Sequence, residues 1–124
     1  MPATILIIED HFHLSVTLKR WLETKFPGCH VVEATHGKEA IALAQHTEPH
    51  VIIVDIGPLG ADGPRLVELL KAFRPAIPIV ALANYDSEMS RTCVIGCGAS
   101  AYIEKNTITA KLQPTVARLL SAAV

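Results

Sequence analysis

The sequence has almost no net charge and no long apolar run. Its 12 acidic and 11 basic residues leave a formal charge of −1 with neutral histidines. This balance provides no electrostatic footprint for nucleic acid, so we expect no nucleic-acid contact from this chain. No apolar stretch approaches the length of a membrane span, and the first residues, MPATILIIED, lack the basic-then-apolar pattern of a signal peptide. The sequence therefore predicts a cytoplasmic protein with no membrane contact.

Cysteine is also scarce. The three cysteines, Cys29, Cys93 and Cys97, are an odd number and contain no C-x-x-C pair. Cys93 and Cys97 would share one face of a helix, but no His or Cys nearby completes a zinc set. We therefore expect reduced thiols that are buried or half-buried.

Apolar residues, in contrast, are abundant. They make up 50% of the 124 residues, and charged residues make up 19%. This composition is typical of a globular chain, and the length fits one domain with one substantial core. We expect a single domain over residues 1–124.

Short apolar runs alternate with segments of helical periodicity along the whole chain. The predicted strands are 4–8, 29–34, 51–54, 79–83 and 101–103. The predicted helices are 12–26, 37–46, 64–73, one from a cap at Asp86 or Ser87 to Ile95, and a C-terminal one. Three of the strands are apolar throughout, which is typical of parallel strands covered by helices on both faces. The pattern predicts a (βα)5 doubly wound α/β fold, with ligands at the carboxyl ends of the central strands.

Pro114 falls well inside the last predicted helix. A proline there removes one backbone hydrogen bond and clashes with the preceding turn, at a cost of about 3 kcal/mol. We expect either a kink or a helix that effectively begins near Gln113.

Carboxylates follow the first and third predicted strands. Glu9 and Asp10 come after the first strand and Asp55 after the third. These strands are neighbours in a doubly wound sheet, so the three side chains should converge at one edge. Three carboxylates repel one another unless a cation is present, and oxygen ligands with room for water suit Mg²⁺. Lys105, after the fifth strand, brings an ammonium group to the same edge.

Each of these residues has a simpler interpretation when taken alone. An acidic pair after a strand is usually a solvated loop, Asp55 fits a helix or turn cap, and Lys105 fits a surface charge. Their combination at three strand ends favours a functional site.

Four segments of the sequence, in order, resemble the receiver domain of two-component response regulators. They are LIIEDH at 6–11, VDIGPLGADG at 54–63, PIVAL at 78–82 and GASAYIEK at 98–105. The EDH start and Asn84 look most like receivers that precede a helix-turn-helix output domain. The resemblance implies a flavodoxin-like fold with a parallel five-stranded sheet of order 2-1-3-4-5.

The resemblance also implies roles for the residues of the acidic edge. Asp55 matches the phosphoacceptor. Glu9, Asp10, Asp55 and the backbone carbonyl of Gly57 match the Mg²⁺ site, with Asp10 the more direct ligand. Lys105 matches the lysine that contacts the phosphoryl group. The resemblance implies that the domain catalyses only its own phosphorylation and dephosphorylation, and is not otherwise an enzyme.

Two further positions concern switching. Tyr102 matches the aromatic switch residue, whereas Ala83 stands where the family has Thr or Ser. That hydroxyl normally bonds a phosphoryl oxygen and draws the aromatic residue inward, and the Asn84 amide is a candidate partial substitute. We expect a domain that can be phosphorylated but switches poorly, with Tyr102 not reliably drawn inward.

The sequence also departs from the family in two loops. Pro58 lies one place early in the loop after the phosphoacceptor, and Asn106 stands where many receivers have proline.

Two functions remain in view. In the first, a sensor histidine kinase or phosphotransfer protein phosphorylates Asp55, and the fourth helix, fifth strand and fifth helix present the response to an output domain or a second copy. In the second, the chain is a pseudo-receiver that binds partners without a phosphorylation switch, which Ala83 favours. A small-molecule phosphatase or mutase is disfavoured, because the D-x-D arrangement and a substrate cap are missing from the sequence.

Overall fold

The computed structural model describes residues 3–9, 12–57, 62–85 and 87–122. Five strands and five helices alternate along them. The strands are β1 (Thr4–Ile8), β2 (His30–Ala34), β3 (Val51–Asp55), β4 (Ile79–Ala83) and β5 (Ala101–Glu104). The helices are α1 (Phe12–Lys25), α2 (Gly37–Thr47), α3 (Asp62–Phe73), α4 (Glu88–Gly96) and α5 (Ile108–Ala122), and a 3-10 turn at Lys105–Thr107 precedes α5. No helix in this part of the chain is long and apolar enough to cross a membrane.

The five strands form one parallel sheet in the order β2-β1-β3-β4-β5. The predicted doubly wound, flavodoxin-like fold and its strand order are therefore confirmed. The strand β4 has the predicted bounds, and β3 extends one residue further than predicted, to include Asp55.

Helices cover both faces of the sheet, and each face has its own core. Along β1, Leu6 and Ile8 pack in the cluster that contains residues of α2, α3 and α4. Ile5 and Ile7 pack in the opposite cluster, which contains residues of α1 and α5. Because successive side chains of a strand point to opposite faces, a central strand buried on both faces is apolar at every position.

Polar caps fix the starts of two helices. The Nδ1 atom of His36 accepts a hydrogen bond from the Glu39 N–H at 3.3 Å, before α2. Ser87 Oγ accepts from the Ser90 N–H at 3.2 Å, before α4. Of the two predicted caps for α4, Ser87 is therefore the cap, and Asp86 lies outside the described residues.

Of the two alternatives predicted for α5, a start near Gln113 is wrong, and a kink at Pro114 stays a prediction. The helix begins at Ile108 and continues through Pro114 to Ala122. Leu112 before the proline and Val116 after it are both fully buried against the sheet. Packing on both sides of Pro114 therefore holds the helix in spite of the lost hydrogen bond.

The cysteines are free thiols, as predicted, but one of them is more exposed than expected. Cys29 and Cys97 are half-buried, whereas Cys93 is exposed on α4. Burial raises the pKa of the Cys97 thiol, and nearby Cys93, to which it is hydrogen-bonded, and Glu68 raise it further. Cys93 and Cys97 thus lie next to each other at the C-terminal end of α4, and Cys93 is exposed because Val94 is the residue that α4 buries.

Candidate functional site

The carboxyl ends of β1 and β3 bring two acidic residues side by side. Ile8 of β1 pairs with Val54 of β3, so Glu9 and Asp55 are the next residues along the two neighbouring strands. The Glu9 N–H donates to the Ala34 carbonyl at 3.0 Å, which continues the β1–β2 ladder to this residue. Glu9 is 1% exposed and Asp55 is 2% exposed. The sheet therefore fixes two carboxylates at a buried edge.

The two oxygens of Asp55 have different partners. Oδ1 accepts a hydrogen bond from the Gly57 N–H at 3.0 Å. Oδ2 forms an ion pair with Nζ of Lys105, the first residue of the 3-10 turn after β5. The predicted meeting of Lys105 with the acidic edge is therefore found in the structure. Thr107 supports the turn, because its Oγ1 donates to the Glu104 carbonyl at 2.8 Å.

Gly57 allows close packing in the loop that follows β3. A Cβ atom at this position would lie 2.6 Å from Nδ2 and 2.8 Å from Cγ of Asn84. Asn84 is the residue after β4, and these distances show that its amide side chain lies directly against the Gly57 backbone. The glycine therefore serves the contact between two loops at the edge of the sheet.

The donor set at this edge fits a magnesium ion. Two buried carboxylates, Glu9 and Asp55, lie at this edge, and the Lys105 ammonium and the Gly57 N–H contact the second of them. Mg²⁺ is usually held by one or two carboxylates, with waters and phosphate oxygens completing its shell. Asp10, the third predicted carboxylate, lies outside the described residues. Within the described ranges no three His, Cys, Asp or Glu side chains group as metal ligands.

A cavity of about 210 Å³ lies next to the acidic edge. Gly57, Asn84 and Tyr102 are among the residues that line it. Ala83 also lines the cavity and is 4% exposed. Ala83 thus lines the same cavity as Gly57 and Tyr102.

Tyr102 lies inward, with 6% of its surface exposed. Its hydroxyl donates a hydrogen bond to the Tyr85 carbonyl at 2.9 Å. The expectation that phosphorylation would not reliably draw Tyr102 inward stays a prediction, because Tyr102 already lies inward without a phosphoryl group. A backbone carbonyl of the β4–α4 loop, and not a side chain at position 83, accepts the hydrogen bond of its hydroxyl.

The guanidinium group of Arg91, in α4, lies over the face of the Tyr102 ring. The distance from Cζ to the ring centroid is 4.8 Å. A guanidinium nitrogen of Arg91 also donates to the Tyr102 backbone carbonyl at 3.4 Å. Arg91 therefore contacts both the ring and the backbone of the same residue.

Comparison with known proteins identifies the family. The family model of the response regulator receiver domain matches residues 5–117. This chain is a response regulator receiver domain.

Two curated relatives and one solved structure illustrate how this receiver compares with others. It is 29% identical over 120 residues to the transcriptional regulatory protein CssR of Bacillus subtilis, covering 97% of this chain and 52% of CssR. It is 31% identical over 109 residues to the response regulator VraR of Staphylococcus saprophyticus, covering 86% of this chain and 51% of VraR. The receiver therefore spans about half the length of these relatives. The signal receiver domain of a DNA-binding response regulator from Colwellia psychrerythraea has the same fold, with a TM-score of 0.87 and 24% identity over 96% of this chain and 98% of that one.

Sequence reasoning missed two contributors to the surroundings of Tyr102 in this receiver. Arg91 lies one turn into α4, where its N–H donates to the Ser87 carbonyl at 2.8 Å. The helix period indicates the face on which Arg91 lies, but it does not indicate which strand residue that face meets. The carbonyl of Tyr85 has no sequence signal at all, because every residue carries one.

Proposed function

We propose that this receiver domain, over residues 1–124, accepts a phosphoryl group on Asp55 from a sensor histidine kinase or phosphotransfer protein in the cytoplasm. The observation that supports it most directly is the ion pair between buried Asp55 and Lys105. A nucleophilic carboxylate thus lies at the end of a rigid strand, with a cation already beside it. Family membership supports the same reaction, because two-component receivers act on this principle.

The chemistry is a displacement at phosphorus. A carboxylate oxygen of Asp55 attacks the phosphorus of a phosphohistidine, the P–N bond breaks, and its electron pair stays on the imidazole nitrogen. The Gly57 N–H holds Oδ1, so we assign the attack to Oδ2, on the side of Lys105. The Lys105 ammonium then moves from the carboxylate to a phosphoryl oxygen and neutralises its charge.

The metal ligands in this proposal are Glu9, Asp10, Asp55 and the Gly57 carbonyl. When bound there, Mg²⁺ neutralises the charge that the phosphoryl oxygens bring to the acidic edge. The chain itself contributes the carboxylates that would hold the ion and the Gly57 carbonyl. The domain catalyses only its own phosphorylation and dephosphorylation.

The response would pass to a partner through the face formed by α4, β5 and α5. Receivers similar to this chain belong to longer proteins named as transcriptional regulators, of which this chain covers about half. An output domain or a second copy of the receiver is therefore the proposed partner of this face. No nucleic-acid contact is assigned to the receiver itself, since its net charge is only −1.

The test is incubation with acetyl phosphate and Mg²⁺, followed by intact-mass measurement. Wild type should gain a single phosphoryl group, whereas Asp55→Asn and wild type in EDTA should gain none. Glu88→Gln, which removes an exposed carboxylate at the start of α4, is the matched control and should behave as wild type. Equal phosphorylation of wild type in EDTA, or of Asp55→Asn, would disprove the mechanism.

A second candidate function is a pseudo-receiver, an interaction module without a phosphorylation-driven switch. Ala83 favours it, because a methyl group cannot bond a phosphoryl oxygen. A receiver that gains phosphate in the experiment above, but shows no change in the α4–β5–α5 face, would support this candidate.

A further inference from the structure

We propose that Arg91 is a positioning residue that holds Tyr102 inward before any phosphoryl group is present, with the Tyr85 carbonyl as the second holding group. Tyr102 would then keep one position whatever the state of Asp55. The inference concerns the residues around Tyr102 and rests on the proposed function only where the phosphoryl mimic is used in its test.

The first support is the hydrogen bond of the Tyr102 hydroxyl. It donates to the Tyr85 carbonyl at 2.9 Å, a normal length for an O–H donor. A buried phenol needs an acceptor, and here the acceptor is main chain. The Tyr85 side chain takes no part in this bond and is 76% exposed.

The second support is the double contact made by Arg91. Its guanidinium lies over the Tyr102 ring at 4.8 Å and also donates to the Tyr102 carbonyl at 3.4 Å. An arginine keeps its charge at any physiological pH and stacks on aromatic faces. An outward movement of the Tyr102 ring would break its contact with the Arg91 guanidinium.

The third support is where the holding groups lie. Arg91 belongs to α4 and the Tyr85 carbonyl to the β4–α4 loop, whereas Asp55 ends β3. Both Gly57 and Tyr102 line the cavity of about 210 Å³, and the side chain that lines it at position 83 is only a methyl group. Neither contact that holds Tyr102 involves the side chain at position 83, so a charge change at Asp55 has no hydroxyl at Ala83 through which to act on Tyr102.

Tyrosine itself provides the measurement. The chain has only two tyrosines, so incorporation of 3-fluorotyrosine gives two ¹⁹F signals, and Tyr85→Phe assigns them without removing the Tyr85 carbonyl. In wild type without phosphoryl mimic, the Tyr102 signal should show a much smaller H₂O-to-D₂O shift than that of Tyr85. Addition of Mg²⁺ and beryllofluoride should leave this burial unchanged.

The role of Arg91 is tested by the rate at which tetranitromethane nitrates Tyr102, with Tyr85 as the internal reference. This rate follows the exposed population of the ring. Arg91→Ala should raise it about two- to fivefold, the size expected from an exposed cation–π contact. Arg91→Lys should restore part of the protection, because a lysine keeps the charge but loses the planar contact.

Arg118→Ala is the matched control, since it removes an exposed arginine of α5 and should leave the rate unchanged. Arg91 is itself exposed, so its replacement should leave the fold intact. An exposed Tyr102 in the unmodified wild type, or an unchanged nitration rate in Arg91→Ala, would overturn the proposal. If Asp55 took no phosphoryl group, these two measurements would still be decisive, because neither needs the mimic.

Discussion

Lys105 reaches past β4 to Asp55, so its ammonium joins the end of β5 to the end of β3. The Lys105 side chain is 23% exposed, whereas that of Asp55 is 1% exposed. Water therefore screens the ion pair from the lysine side only. Among the described residues, Lys105 provides the ammonium group that pairs with the Asp55 carboxylate. Opposite charges in so dry a setting interact more strongly than at a protein surface.

Lys105→Met should slow phosphorylation of Asp55 by acetyl phosphate about 10- to 150-fold. A hydrogen bond to a charged group is worth about 1.5–3 kcal/mol, and each 1.36 kcal/mol corresponds to a factor of ten. Methionine keeps the unbranched apolar part of the lysine side chain, so the change removes mainly the charged ammonium group. The initial rate of mass increase is the measurement.

Lys111→Met, on the exposed side of α5, is the control for Lys105→Met and should phosphorylate at the wild-type rate. If Lys105→Met kept the wild-type rate, the ammonium would have no part in the transfer, and its contact with Asp55 would be structural only.

Most of the fold could be predicted because the sequence is locally consistent. Apolar strands such as Val51–Asp55 are buried on both faces, and helices follow each strand with a clear period, so the alternation defines the sheet. The convergence of Glu9, Asp55 and Lys105 follows from the same topology, since parallel strands open their carboxyl ends onto one edge.

The environment of Tyr102 could not be predicted in the same way. It depends on a backbone acceptor at Tyr85 and on the contact between α4 and β5, neither of which has a pattern in the sequence. The start of α5 was missed for a related reason, because burial of Leu112 and Val116 overrides the local preference of Pro114. Tertiary packing decided both cases.

Gly63→Ala should lower the free energy of unfolding by about 1–3 kcal/mol. A Cβ at Gly63 would lie 2.8 Å from Cβ and 3.2 Å from Cα of Ile56, so the first turn of α3 would have to move away from the chain after β3. Urea denaturation gives the change in stability.

Gly96→Ala is the matched control, because a Cβ at Gly96 meets nothing within 4 Å. It lies at the end of α4 and should be neutral or stabilise by up to about 1 kcal/mol. Equal effects of the two substitutions would show that Ile56 has room to move and that the packing argument fails.

Pro114→Ala should raise the free energy of unfolding by about 1–2 kcal/mol. Alanine restores the hydrogen bond to the Ala110 carbonyl, a gain of about 3 kcal/mol, and part of this is offset by the greater freedom of the unfolded chain. The measurement is the urea concentration at the midpoint of unfolding, compared at an unchanged dependence of the free energy of unfolding on urea concentration.

Thr115→Ala, at the next position of α5, is the control, because it measures the effect of the higher helix propensity of alanine alone. It should raise the free energy of unfolding by less than half of the gain expected for Pro114→Ala. An unchanged or lower midpoint for Pro114→Ala would mean that α5 has adapted to the proline, with the Ala110 carbonyl already bonded elsewhere.

Ala83→Thr should strengthen the binding of beryllofluoride with Mg²⁺. Ala83 lines the cavity beside Gly57 and Asn84, so there is space for a hydroxyl close to the acidic edge. A hydrogen bond from that hydroxyl to the charged mimic is worth about 1.5–3 kcal/mol, which predicts affinity about 10- to 150-fold higher than in wild type. The ¹⁹F signal of bound beryllofluoride, titrated at constant Mg²⁺, measures the affinity.

Ala83→Val separates the hydroxyl of that threonine from its shape. Valine has nearly the outline of threonine and cannot donate, so it should bind the mimic no better than wild type. Because Tyr102 is already inward, the threonine should change the affinity for the mimic and leave the solvent shift of the Tyr102 signal where it is.

If Val and Thr tightened binding equally, filling of the cavity would be the cause. If Ala83→Thr tightened nothing, the Asn84 amide beside Gly57 would be the group that already takes the place of the hydroxyl.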